Sequence, residues 1–177
     1  MQKGFTLIEI IIYLAIITTI LIASLNFAWT IINDQTKQEN LSEVNNAGRF
    51  ILDKITYNTK RSNAIEAGSI YDANPGKLIL SYIANPQMII DTYDKQITLG
   101  GTDLTITKLR LTRGANLAVD LTGDKINVSN FVITDSSNAS AVTINIELTL
   151  SAINPSETKS YEAQNSWTTS ITVRKRQ

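Results

Sequence analysis

The chain has 177 residues, and its 16 Lys and Arg are balanced by 16 Asp and Glu; it contains neither Cys nor His. That length fits one modest domain plus a long helix. Thiolate and imidazole metal sites, cysteine nucleophiles and Ser-His dyads are excluded. No basic surplus or long charge block marks a nucleic-acid surface. Without a disulfide, stability has to come from packing and strand pairing.

The first organised stretch is Lys3-Gly4-Phe5-Thr6-Leu7-Ile8-Glu9, followed by an apolar run to Ile32. Within Ile10 to Ile32 the polar residues Thr18, Thr19, Ser24, Asn26 and Thr30 are all uncharged. A bilayer core of roughly 30 Å needs about 20 such residues as a helix, so the run is long enough to span. It exceeds the apolar core of a secretory signal peptide, about 7–15 residues, and no A-x-A cleavage site follows it. A plain membrane anchor explains the run but not Glu9. An ionised carboxylate inside a membrane segment costs on the order of 3 kcal/mol, so Glu9 calls for a partner.

Gly4-Phe5-Thr6-Leu7-Ile8-Glu9 resembles the processing signature of class III signal peptides, those of type IV pilins and type II secretion pseudopilins. The resemblance implies a basic leader cut after Gly4 by a membrane prepilin peptidase, N-methylation of Phe5 by the same enzyme acting as methyltransferase, and an apolar helix that becomes the core of a filament. It also implies that Glu9 neutralises the N-terminal amine of a neighbouring subunit. The physics is compatible with that role. A positive α-amino group at residue 5 sits at the unfavourable end of the helix dipole, and Glu9 lies one turn on. In an apolar setting the two charges are costly apart and satisfied together, which favours one stagger between packed helices. Lys3 before the span, with Asp34 and Lys37 after it, leans weakly towards a cytoplasmic N-terminus. The resemblance places the remainder of the chain outside.

Residues 34–65 read as a continuing amphipathic helix. Leu41, Val44, Gly48, Ile51 and Ile55 recur at spacings of three and four, Phe50 and Leu52 widen the apolar face, and no proline interrupts. A helix unbroken from Phe5 to about Ala64 is roughly 90 Å long. Major pilins commonly carry a proline in the middle of the apolar segment. Here that stretch reads Ser24-Leu25-Asn26-Phe27, which leans towards a minor subunit. Arg49, Arg61 and Ala64-Ile65, together with the closing strand and its Arg174-Lys175-Arg176 ending, are similar to J-type pseudopilins and W-type minor pilins.

After Gly68 the pattern turns to strands. Asn74-Pro75-Gly76 is a turn, Lys77 to Ile83 a strand, and Asn85-Pro86 a break. Met88 to Ile90 with Tyr93 gives a second strand, and Gln96 to Leu99 a short third ended by Gly100-Gly101. Leu104 to Leu111 and Leu117 to Leu121 flank a hairpin link at Gly114-Ala115-Asn116. Ile126 to Thr134 and Val142 to Leu150 form the best pair, the latter alternating strictly between apolar and polar residues. A last strand runs from Trp167 to Val173. The expected fold is α+β: a long N-terminal helix, transmembrane then amphipathic, packed on a C-terminal antiparallel β-sheet. The expected divisions are a leader at 1–4, a membrane and assembly helix at 5–33, an amphipathic helix at 34–66 and an extracytoplasmic β domain at 67–177.

Other motifs have blander explanations. Three N-x-S/T triplets, at Asn40, Asn127 and Asn138, arise freely in a chain rich in Asn, Ser and Thr. Asp91 to Asp94 and Asp120 to Asp124 offer oxygens, but neither follows an EF-hand and turns commonly hold Asp. The Arg174-Lys175-Arg176 tip is most simply a solvated tail. No metal, cofactor or catalytic residue is expected. The sequence points to processing at Gly4 and Phe5 and to assembly through Glu9, with the membrane, a prepilin peptidase/methyltransferase and other pilin or pseudopilin subunits as partners. The alternatives are a membrane-anchored binding module or adhesin using the same leader and, more remotely, a tethered enzyme.

Overall fold

The computed structural model describes residues 6–83, 86–138, 141–154 and 162–173. Among the described residues one helix, α1 (Leu7–Arg61), precedes eight strands: β1 (Ala64–Ile65), β2 (Leu78–Ser81), β3 (Met88–Leu99), β4 (Thr102–Arg113), β5 (Val119–Asp120), β6 (Ile126–Asp135), β7 (Val142–Ala152) and β8 (Gln164–Val173). All pairings are antiparallel. The fold is α+β with a long N-terminal helix, and pilin-like.

At 55 residues, α1 is about 80 Å long. It passes through Ser24-Leu25-Asn26 without interruption, as the absence of proline there allows. It stops earlier than the apolar period suggests. Ser62 turns to φ −70°, ψ 156°; its amide still donates to the Asn58 and Thr59 carbonyls, and its hydroxyl donates to Thr59 O at 2.7 Å. Side chains of this kind compete with the next helical turn. The expected helix at Ala64-Ile65 is therefore corrected to strand β1, whose register pairs Ala64 with Ser81 and Ile65 with Leu80.

The strands form two sheets, in orders β1-β2-β3-β4-β5 and β6-β7-β8, where the sequence suggests one. The seam between them is closed by side chains and loop backbone. Thr107 N donates to Asn127 Oδ1 at 2.8 Å and Leu109 N to Thr122 Oγ1 at 3.3 Å, which occupies the outer edge of β4. On the β6 side, Asp72 N donates to Ile133 O and Gly76 N to Phe131 O, at 2.8 and 2.7 Å. Strand-to-strand pairing is thus replaced by bonds that satisfy the same backbone groups.

The two short segments expected at Met88–Ile90 and Gln96–Leu99 are one strand, β3. It pairs residue for residue with β4 from Met88↔Arg113 to Leu99↔Thr102 around Gly100-Gly101. Both tip glycines have positive φ, 59° and 83°, which a hairpin turn of this kind demands. The expected hairpin link at Gly114-Ala115-Asn116 does return β4 to β5, but over two pairs only, Arg110↔Asp120 and Leu111↔Val119. The β6–β7 pairing stands where the alternation puts it, with one irregularity between Val128 and Asn130.

The core lies between the second half of α1 and the sheets. Val44, Ile51 and Ile55 of the helix are fully buried, as are Ile144, Ile146, Leu148 and Leu150 of β7. The helix lies tight against β8 at Gly48, where an added Cβ would overlap the indole of Trp167. One turn earlier, Asn165 Nδ2 donates to Asn45 Oδ1 at 2.7 Å. Gly48 is therefore the flat point that lets a tryptophan lie across the helix. Overpacking of this kind costs about 1–3 kcal/mol, more than the ~1 kcal/mol that alanine gains over glycine in a helix interior. Gly48→Ala should lower the thermal midpoint of the full-length chain in detergent. Adding Trp167→Leu should remove the steric part of that loss; equal melting of Gly48→Ala and wild type would show that the indole yields freely.

The β3–β4 ribbon carries an ion-pair network. Lys108, whose side chain is 2% exposed, reaches Asp120 at 3.2 Å and also pairs with Asp124, while Lys95 meets Asp124 at 2.9 Å. Burial pushes the Lys108 pKa down, but the hydrogen bonds to Asp124 and Asp120 more than offset it, so the net shift is upward. Asp124, held first by Lys108 and then by Lys95, is lowered from 3.8 to about 2. Because folding depresses this pKa, the pairing stabilises the fold above the ordinary carboxylate range and is lost as pH falls from about 4 towards about 2. Asp124→Asn should lower stability near neutrality and flatten its dependence on pH across that window. Denaturant titrations at stepped pH check this, and parallel curves for the two proteins would contradict it.

Candidate functional site: the head of the apolar helix

Of the residues singled out in the sequence, Gly4 and Phe5 lie outside the described residues, as does the Arg174-Lys175-Arg176 tip. Glu9 is described, half-buried in the first turn of α1. That turn is built by Thr6, which the sequence reading did not single out. Thr6 has extended backbone angles, φ −81° and ψ 151°, and its hydroxyl accepts from Glu9 N at 3.4 Å. Its carbonyl accepts from Glu9 N at 3.1 Å and from Ile10 N at 3.3 Å. Thr6-x-x-Glu9 is the spacing of a capping box, a local signal that was available in the sequence. An acid in this turn also meets the positive end of the helix dipole. Thr6 and Glu9 thus fix where the helix starts, and with it the height at which a carboxylate stands on the apolar rod.

The rod itself is uncovered. Seventeen large apolar side chains between Leu7 and Ile32 are 40–78% exposed. A monomer in water rarely shows an apolar patch above a few hundred Å², so this surface needs lipid or other helices around it. α1 is the one helix among the described residues long and apolar enough to cross a membrane. Three of its threonines are prepared for such a setting. Thr18, Thr19 and Thr30 donate to carbonyls four residues back, at Leu14, Ala15 and Asn26, over 2.9, 2.7 and 3.0 Å. Their hydroxyls therefore bring no unsatisfied donor into an apolar medium.

The carboxylates weighed as calcium ligands are committed elsewhere. Asp91 accepts both donors of a fork from Arg110, at 2.8 and 3.0 Å. Asp120 accepts from Tyr93 Oη at 2.9 and 3.0 Å, and pairs with Lys108. Asp124 holds Lys95 and Lys108. Among the described residues no group of three or more acids could take a metal ion. Of the N-x-S/T asparagines, Asn127 is spent on the seam between the sheets, and Asn138 Oδ1 accepts from Ala141 N at 2.9 Å.

Residues 1–25 match the family model described as the prokaryotic N-terminal methylation motif. No curated protein and no solved structure matches the chain. The matched segment contains Gly4, Phe5 and Glu9, and continues into the uncovered part of α1. The signature at residues 4–9, the rod that follows it and the sheets it carries agree: this chain bears a class III prepilin signal on a pilin-like fold.

Proposed function

We propose that the chain is the precursor of a type IV pilin-like subunit that is processed at its N-terminus, held in the membrane by α1 and assembled into a filament. Cleavage falls between Gly4 and Phe5, Phe5 is N-methylated, and Glu9 neutralises an N-terminal amine of a neighbouring subunit. The observation that carries the reading is the combination of the methylation motif with a helix whose first half has no cover of its own. A prepilin peptidase/methyltransferase and other pilin-like subunits are the partners this implies. The β domain stands outside the cytoplasmic membrane. The role is structural, and the absent proline at residues 24–27 supports a minor pilin or pseudopilin.

Assembly moves the apolar half of α1 from lipid to other helices, so the hydrophobic term nearly cancels. Packing and the amine–carboxylate pair are left to decide whether and where a subunit docks. Glu9 suits that task because Thr6 fixes its height on the rod. A binding module on the same anchor would act through its β surface and would not need Glu9.

Two substitutions separate these readings. Glu9→Ala should leave cleavage intact and remove the subunit from sheared filaments; normal incorporation would end the assembly role for Glu9. Gly4→Ser should leave the precursor uncut, seen on a gel as a band heavier than the mature wild type. Identical mobility of the two would show that the cleavage site lies elsewhere.

A further inference from the structure

The height of the β3–β4 ribbon can be read against α1. Near the end of the helix, Tyr82 Oη donates to the Asn58 carbonyl at 3.0 Å and lies 3.8 Å from Met88 Sδ, so β3 begins at the level of Asn58. Lower down, Lys95 of β3 meets Asp124, whose neighbour Gly123 lines one groove with Glu43. From Met88 to Lys95 is about 23 Å at 3.3 Å per residue. From Asn58 back to Glu43 is about 22 Å at 1.5 Å per residue. The lengths match, so β3 runs down along the helix axis, antiparallel to α1 and towards its apolar half.

The ribbon continues past that level. Leu99, the last residue of β3, lies about 13 Å beyond Lys95. That drop equals about nine residues of α1, which brings Leu99 and the Gly100-Gly101 turn beside residue 34. The apolar run of α1 ends just before, at Ile32. Leu7 to Ile32 is about 38 Å long and a hydrocarbon core about 30 Å thick, so a run centred on the core ends among the headgroups. Trp29, 69% exposed, suits the same level. The turn of the ribbon thus comes down to the outer headgroup layer of a membrane that α1 crosses.

The tip has the chemistry for that level. From Gln96 to Thr105 the only charged residue is Asp103, whose Oδ1 accepts from Thr98 Oγ1 at 2.7 Å. Gln96, Thr98, Asp103 and Thr105 take one face of the ribbon, all exposed, and Ile97, Leu99 and Leu104 take the other. Ile97 stands opposite Leu104, a cross-strand pair that stiffens the ribbon. Leu99 stands opposite Thr102, has no such pair and is 39% exposed.

We infer that the Leu99 end of the β3–β4 ribbon is a second membrane contact, resting in the outer headgroup layer of the bilayer that α1 crosses. The foot is apolar and brings no basic residue, so it takes neutral and anionic lipid alike. A single helix leaves the domain free to turn about the rod. A second contact away from the axis stops that rotation, so a membrane-held subunit presents a fixed side. The inference rests on α1 spanning the membrane and not on filament assembly.

The test uses the full chain, one copy per phosphatidylcholine nanodisc, so that no second copy can cover the tip. Because the chain has no cysteine, single cysteines can each carry one NBD label. Thr102→Cys at the tip should be quenched by a lipid with a nitroxide headgroup as strongly as Asp34→Cys on the helix. Leu117→Cys, at a residue 92% exposed beyond the upper end of β4, should not be quenched. Adding Leu99→Asp should bring the Thr102→Cys label down to the Leu117→Cys level, and replacing part of the lipid with phosphatidylglycerol should leave its quenching unchanged. Quenching at Asp34→Cys with none at Thr102→Cys overturns the contact and leaves the anchor standing. No quenching at either overturns both. Equal quenching at Leu117→Cys shows a domain lying flat and overturns the contact too, as does tip quenching that survives Leu99→Asp or needs anionic lipid. Thermal melting in detergent checks each variant, and Leu99→Thr gives the same comparison with a side chain that strands favour.

Discussion

The structure depends on one imbalance. α1 is a single unbroken helix, but its two halves live in different surroundings. From Val44 to Thr59 it has a buried face against sheet; from Leu7 to Ile32 it has none. Seventeen exposed large apolar side chains cannot remain in water, so the N-terminal half is committed to lipid or to other helices. The β domain has the opposite character: its apolar residues are largely inside, and its surface is rich in hydroxyls and amides. A rigid rod joins the two, so whatever fixes the rod also fixes the domain.

How firmly the rod is held follows from the clamp at Gly48. With no cysteine in the chain, the helix is kept on the sheet by packing and a few polar contacts. Trp167 across Gly48 and Asn165 bonded to Asn45 tie it to β8, and Tyr82 Oη donates to the Asn58 carbonyl at 3.0 Å near its end. These contacts cover about four turns of the helix. They make the second half of α1 part of the domain rather than a tether, and a lateral force on the apolar half is therefore felt by the sheets.

Much of this was legible in the sequence because it is local. The three-and-four spacing of Val44, Gly48, Ile51 and Ile55 gives the buried face of α1 directly, and the alternation from Val142 to Leu150 gives β7 and its inward side chains. The signature at residues 4–9 is contiguous, and a family model finds it too. What was missed depends on residues far apart. The division into two sheets turns on Asn127 and Thr122 reaching β4, and on the loop near Gly76 reaching β6. No periodicity reports such bonds between distant segments. The fit of Trp167 over Gly48 joins positions more than a hundred residues apart. The early stop of α1 was a local event, but the apolar pattern runs past Ser62 into Ala64-Ile65 and masks it. The Thr6-x-x-Glu9 spacing is local too, and so is legible in the sequence.

The same imbalance separates two kinds of polar contact on one helix. A carboxylate at the head of the apolar rod acts where the dielectric is low, so its pairing is strong, barely screened by salt and severe when unmet. The charged residues exposed on the second half of α1, among them Glu39, Glu43, Asp53, Lys54, Lys60 and Arg61, lie beside the β domain, where an exposed pair is weak alone and screened within about 8–10 Å at ordinary ionic strength. The apolar half offers area without register, and in the proposed assembly Glu9 adds register where an error is costly. In that assembly the helix has its strongest selectivity where it has the fewest polar groups.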